Sequence, residues 1–277
     1  MRFVKFLVVL LLSACSYGAA EFQTYRQAYE AQYVEGAKVL DHVAKAERIL
    51  VERSFSSQPG VRAFDPDEAR YYVVVGDPPL TGAIRACVDA LKNYNDALAG
   101  LVTGEAAATL RSELVAANGA LTSSLGALAG AGGVDAAFAA TLGTAIGKAI
   151  PVLEVMERAG NRMAFREQMV RAYPDMRLLM LELRNGTPQM FKVVERSFIE
   201  PGSLGLGPTR MTADKQQRLA EFRQLLAGWV ILIDESVRAM DIAVYAAATQ
   251  ANSPDLSSLI EASVEIRVIS EAIKAAN

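Results

Sequence analysis

Between positions 219 and 247 the chain places Leu219, Phe222, Leu226, Trp229, Ile233, Ser236, Met240, Ala243 and Ala247 at alternating steps of three and four residues. Only a helix brings such positions onto one face, and about four repeats of the spacing make a heptad seam. One helix cannot bury a seam of that length, so other long helices must pack against it. Thr212 supplies a capping hydroxyl, and Asp214 falls in the first turn, where the helix dipole favours a carboxylate.

The same period recurs upstream. Phe22, Tyr25, Tyr29, Gly36, Val39, Val43, Ala46 and Leu50 form a stripe from about residue 21 to 55, with Gln32 its one polar interruption. Tyr33, Ala37, Leu40 and Ala44 widen that face, which predicts contact on two sides. After Thr81 the spacing returns in Ile84, Cys87, Leu91, Tyr94, Leu98 and Leu101, and after a cap or kink at Thr103-Gly104-Glu105 it continues through Leu110, Leu114, Ala117 and Leu121. Phe138, Leu142, Ala145, Ala149, Val152, Met156, Ala159 and Met163 form another seam, bent at Pro151. Leu256, Leu259, Ser263, Ile266, Ser270 and Ile273 line a final helix after the break at Asn252-Ser253-Pro254-Asp255.

Proline and glycine set the remaining boundaries. Pro59-Gly60, Asp65-Pro66 and Asp77-Pro78-Pro79 make residues 56–81 the least helical stretch. Within it, Asp65-Pro66-Asp67-Glu68 predicts one helical turn capped by Asp65, and residues 71–75 read as an extended segment lying against the bundle. Residues 129–133 are too glycine-rich to stay helical and predict a hairpin tip. A break is expected at Tyr173-Pro174, followed by a shorter helix from Asn185-Gly186-Thr187-Pro188 to Glu200-Pro201-Gly202. Hydrophobic residues make up 52% and aromatics only 7%, a mix that suits helices packed through small side chains better than a β sandwich. The expected fold is all-α: an elongated antiparallel bundle whose longer helices reach roughly 50 Å at 1.5 Å per residue.

The first fifteen residues carry a different signal. Arg2 and Lys5 make a basic start, positions 6–12 an apolar run too short to span a bilayer, and Leu12-Ser13-Ala14-Cys15 a box of small residues. This segment resembles a bacterial lipoprotein signal, in which the cysteine of such a box is acylated and becomes the new N-terminus. The resemblance implies a signal peptide over residues 1–14, acyl chains on Cys15, a short tether over 15–20 and a helical domain over 21–277. Ser16 after the cysteine, with no Asp there, resembles the pattern that permits transfer to the outer membrane, facing the periplasm. With Cys15 acylated, Cys87 has no partner for an internal disulfide and reads as a buried thiol. The net charge of −3 offers no footprint for nucleic acid, so attachment to a membrane is expected through acyl chains and not through a basic surface.

Residues 114–150 are the most unusual internal stretch, with Asp135 and Lys148 its only charges. Gly119, Ser123 and Ala127 lie four apart, as do Ala139, Gly143 and Gly147, a spacing that lets backbones approach closely. Two readings follow. A hairpin packed inside the bundle or against a second copy is favoured; one that enters a membrane, in the manner of α-helical pore-forming toxins, is the sharper alternative.

Chemistry is sparse. His42 is the only histidine and sits among Asp41, Val43 and Lys45, as on a helix surface. One histidine and one free cysteine cannot supply a His/Cys metal site. The Gly130 to Gly133 run lacks the lysine and strand of a phosphate loop, and Gly-x-Ser-x-Gly is absent. Glu157-Arg158 and Glu195-Arg196 read as solvated charges, and Asn185-Gly186-Thr187 is formally a glycosylation sequon. Tyr25, Tyr29 and Tyr33 share a face, either as packed rings with snorkelled hydroxyls or as a stacking surface for a ligand. No catalytic residue and no cofactor is expected. The function expected first is a structural or protein-interaction role on a lipid-anchored scaffold, with a helical partner or a second copy; membrane insertion and small-ligand binding or sensing near Tyr25 to Tyr33 are the alternatives.

Overall fold

The computed structural model describes residues 19–56, 64, 66–103, 140–141, 143–144, 147–148, 162–199 and 211–249. These residues are almost wholly helical, and no strand occurs among them. We number the helices α1 (Ala19–Ser56), α2 (Ala69–Tyr72), α3 (Pro79–Thr103), α4 (Arg162–Asn185), α5 (Thr187–Phe198) and α6 (Ala213–Thr249), with a 3-10 turn at Pro66–Glu68 before α2.

Side-chain contacts define the topology. Arg26 reaches Asp96 while Glu47 reaches Thr81, so α1 and α3 run antiparallel. The ring of His42 meets Phe222, and Gly36 lies against Trp229, so α1 and α6 are antiparallel too. Arg166 donates to the Ala247 carbonyl and Arg184 pairs with Asp234, which opposes α4 to α6. With α3 packed on α4, the ring closes as α1–α3–α4–α6. Among the described residues the long helices thus form an up-down-up-down bundle of four. At 38 residues α1 spans about 57 Å.

Every member of the 219–247 seam is buried. Leu225, Gly228, Leu232, Val237, Ala239, Val244 and Ala246 are buried as well, so α6 presents a broad apolar surface to two neighbours. The α1 stripe behaves likewise: Val39, Val43 and Ala46 are buried, and so is a second row at Leu40, Ala44, Glu47 and Val51. That second row is why α1 can serve α3 and α6 at once.

At the junction of α4 and α5, Pro188 lacks the N–H that would reach the Arg184 carbonyl, and the Thr187 hydroxyl donates to that carbonyl instead at 2.7 Å. The helix therefore re-aims within two residues. α5 then packs on α1 and α6, and Arg53 near the end of α1 donates to the Ile199 carbonyl at 2.7 Å just past the end of α5.

Two expectations are corrected. The chain does not break at Tyr173-Pro174, because α4 runs through Pro174. Pro174 and Val170 both lie on the exposed side of the helix, where a carbonyl without an N–H partner costs least. Buried Ala172 and Met176, together with the Tyr173 hydroxyl on Asp241 at 2.9 Å, hold the helix to its neighbours on the other side. Residues 71–75 do not lie extended against the bundle either. Tyr71 and Tyr72 close α2, and Val73, Val74 and Val75 follow as an exposed stretch bending at 74–76. Only Tyr71 is buried there, because its hydroxyl has an acceptor inside. The expected turn at residues 66–68 is present as the 3-10 turn; Asp65 lies outside the described residues.

Candidate functional site

Among the described residues three polar features stand out, two of them inside the bundle and one at its surface. The first is Glu47, fully buried on the second row of α1. Its Oε1 accepts from the Leu80 amide at 3.0 Å and the Tyr71 hydroxyl at 3.2 Å. Its Oε2 accepts from the Thr81 amide at 2.9 Å and the Thr81 hydroxyl at 2.8 Å. Pro78-Pro79 start α3 without their own donors, and Glu47 takes the next two amides, so a carboxylate 34 residues upstream of Thr81 caps this helix. Burial raises its pKa above the ordinary carboxylate value, and the hydrogen bonds from Leu80, Thr81 and Tyr71 oppose that shift. All four bonds are used structurally. Nothing in the sequence analysis singled Glu47 out, although its place after Leu40 and Ala44 at steps of four and three was the available signal.

The second feature is a set of buried polar groups without protein partners on α1, α3 and α6. Gln32, on the core seam of α1, is fully buried, and neither end of its amide finds a protein partner. Asn95 on α3 and Ser236 on the α6 seam share that condition, as do the Tyr25 and Tyr94 hydroxyls. The Tyr25 hydroxyl is close enough to feel the Asn95 amide, yet no bond of regular geometry joins them. A buried polar group without a partner costs about 1–3 kcal/mol. Replacing Gln32 by methionine, which conserves volume, is therefore expected to raise stability by about 1 kcal/mol in urea unfolding. A fall of that size would mean that the amide is hydrogen-bonded in solution.

The tyrosine row divides along the same lines. Tyr25 and Tyr29 are core residues at 1% exposure, and the Tyr29 hydroxyl donates to the Val88 carbonyl at 2.6 Å. Only Tyr33 carries its hydroxyl outward, to Asp89 at 2.9 Å. The three rings therefore offer no joint stacking surface, and the hydroxyls of the first two do not snorkel. The reason is position: α1 is covered by α3 on one side and α6 on the other.

The third feature is a cleft of 560 Å³ at the opposite end of α1 from Tyr25, where α1, α5 and α6 meet. Ala46, Val194, Phe222 and Leu225 are its buried apolar members. His42, Lys45, Ser197, Arg218 and Glu221 carry its polar groups, with the Ser197 hydroxyl donating to the Val194 carbonyl. The imidazole of His42 sits 5.5 Å from the Phe222 ring, and burial, with Lys45 nearby, lowers its pKa. His42 is exposed, as expected, but it also lines this cleft, which α1 alone could not reveal.

The other sequence-predicted residues are scattered. Cys87 is fully buried on α3, where burial pushes its thiol well above the usual range and its Sγ–H donates to the Ala83 carbonyl at 3.2 Å. That is a packed thiol and not a nucleophile. Glu195 is half-buried and Arg196 exposed on α5. Cys15, Glu157, Arg158, the hairpin tip at residues 129–133 and the helix expected after residue 254 lie outside the described residues. Of the 114–150 stretch only positions 140, 141, 143, 144, 147 and 148 are described, all helical. Among the described residues no cluster of His, Cys, Asp and Glu could hold a metal ion. No family model, curated protein or solved structure matches the chain.

Proposed function

We propose that the protein is a lipid-anchored helical component of the cell envelope, held through Cys15 and acting by binding other molecules. The observation that carries this reading is the start of α1 at Ala19, four residues after the lipobox cysteine. A tether of that length reaches at most about 14 Å. Acyl chains on Cys15 would then hold the end of the bundle bearing Phe22 and Phe165 close to the lipid. α1 would carry the cleft outward, since His42 lies 20 residues beyond Phe22, or about 30 Å along the helix. A rigid rod that presents a binding surface at a fixed height suits a scaffold or interaction role. Among the described residues no helix is long and apolar enough to cross a membrane, so the reading relies on acyl chains for attachment.

Cys15→Ala provides the test. Wild-type protein is expected to fractionate with membranes and to lose residues 1–14 while gaining the mass of acyl chains. The variant is expected to lose that mass and to leave the membrane fraction. Intact wild-type protein that keeps its first fourteen residues and bears no acyl group would overturn the proposal.

A further inference from the structure

We propose that the cleft between α1, α5 and α6 is a binding site for a small amphiphilic anion, a medium-chain carboxylate being the simplest member of the class. The site uses residues of those three helices only and stands whether or not Cys15 is acylated.

Size and lining agree with such a ligand. At 560 Å³ the cleft falls within the range of small-molecule sites, most of which combine an apolar wall with a few polar groups that fix orientation. Ile49, Val194, Phe198, Phe222 and Leu225 provide apolar surface for a hydrocarbon body. Phe222 is held between His42 and the stacked ring of Phe191, and the Arg223 guanidinium covers Phe191 at 4.9 Å.

Charge selects the headgroup. Two permanent cations, Lys45 from α1 and Arg218 from α6, line the cleft against one carboxylate, Glu221. Arg218 pairs through its Nε with Asp214 at 3.1 Å, and its guanidinium carries two further nitrogens able to donate. Glu221 accepts from Gln217 at 3.0 Å. The groups that act on His42 are Lys45 and Asp41 on α1 and Glu221 on α6. Lys45 and burial favour the neutral ring, whose N–H can still donate to a carboxylate. A bound anion reverses that balance and draws a proton onto the imidazole. Lys45 and Arg218 attract an anionic headgroup, and Glu221 with Asp214 on Arg218 sets a limit on that attraction.

The chain's single histidine makes the test direct, because its imidazole signals need no assignment. Full-length protein in lipid discs, with histidine isotopically labelled, is titrated from pH 5 to 8 alone and with octanoate, octanol or octylamine; partitioning into the lipid is measured on protein-free discs. Octanoate is expected to raise the His42 pKa by about one unit, with octanol and octylamine leaving it unmoved. The exposed double substitution Lys45→Gln, Arg218→Gln is expected to weaken octanoate binding about tenfold, equivalent to about 1.4 kcal/mol, while its circular dichroism melt matches wild type. An unmoved His42 at millimolar octanoate overturns the site. Equal shifts from octanol or octylamine overturn the assignment to an anion. Membrane release of Cys15→Ala bears only on the anchor, so the two proposals fail separately.

Discussion

Trp229→Ala is expected to destabilise the bundle by about 4 kcal/mol, the usual cost of deleting a fully buried aromatic side chain. Trp229 is the only tryptophan in the chain and is completely buried on the α6 seam. At about 3 °C per kcal/mol for a chain of this size, the melting temperature should fall by about 12 °C. The tryptophan can lie where it does because Gly36 has no side chain. A Cβ at position 36 would stand 2.7 Å from the indole Nε1, closer than such atoms approach, and 3.0 Å from Cε2, tighter than most contacts.

Gly36→Ala therefore sets two effects against each other. Helix propensity favours alanine by about 1 kcal/mol. Overpacking a rigid, fully buried ring costs about 1–3 kcal/mol. The collision is expected to win, with a net loss of about 1 kcal/mol. In a Trp229→Ala background the ring is gone, and the same Gly36→Ala change should become stabilising. This reversal of sign, read in a double-mutant cycle by urea unfolding, is the signature of direct contact. If Gly36→Ala stabilises both backgrounds equally, the close approach of the two helices is wrong.

Glu47→Gln should be nearly as damaging, at about 3 kcal/mol. Both carboxylate oxygens accept two hydrogen bonds each, and all the donors belong to Tyr71, Leu80 and Thr81. An amide turns one of those oxygens into an NH₂ group that faces donors, which leaves at least two buried groups unpaired. The damage should centre on the start of α3 and on α2, so amide exchange there should quicken ahead of exchange in α6. Exchange that quickens equally in all helices would argue against a local cap.

Acid should act on this site in an uncommon direction. The Glu47 carboxyl has a raised pKa in the folded chain, mainly through burial. The folded state thus binds its proton more readily than the unfolded state does. The stability linked to that proton is fully present below the unfolded carboxyl pKa and is lost as pH rises through the folded one. The gap in unfolding free energy between wild type and Glu47→Gln should therefore widen from pH 8 to pH 5. A gap that narrows on acidification would show that the capping hydrogen bonds outweigh desolvation.

Much of the architecture was legible in the spacing of apolar residues. The α6 seam from Leu219 to Ala247 is buried at every position, and α1 follows its predicted stripe from Phe22 to Ala46. α5 starts at the Gly186-Thr187-Pro188 signal and ends just before residue 199, close to the expected boundary. Periodicity succeeds here because one helix face must leave water wherever the helix packs, whatever it packs against. It was less informative about polar residues on those faces. Gln32 read as an interruption and Glu47 passed unnoticed, yet both are fully buried. Whether a polar side chain in a stripe is an unpaired cost or a cap depends on which donors another helix brings to it. Pro174 was misjudged for a similar reason: a proline breaks a helix when its freed carbonyl is stranded in the core, and here Val170 and Pro174 lie on the exposed side.

Taken alone, then, the order of residues dictates long helices, the faces they bury and several of the places where they stop, because each depends on local geometry and on water. It could not dictate that Glu47 would cap α3 or that a glycine on α1 would seat the tryptophan of α6. Nor could it bring His42, Lys45 and Arg218 around one cleft, since Lys45 and Arg218 lie far apart in the chain. Those outcomes belong to the packing of α1 against its neighbours, where distances of a few ångströms across different helices decide which groups meet.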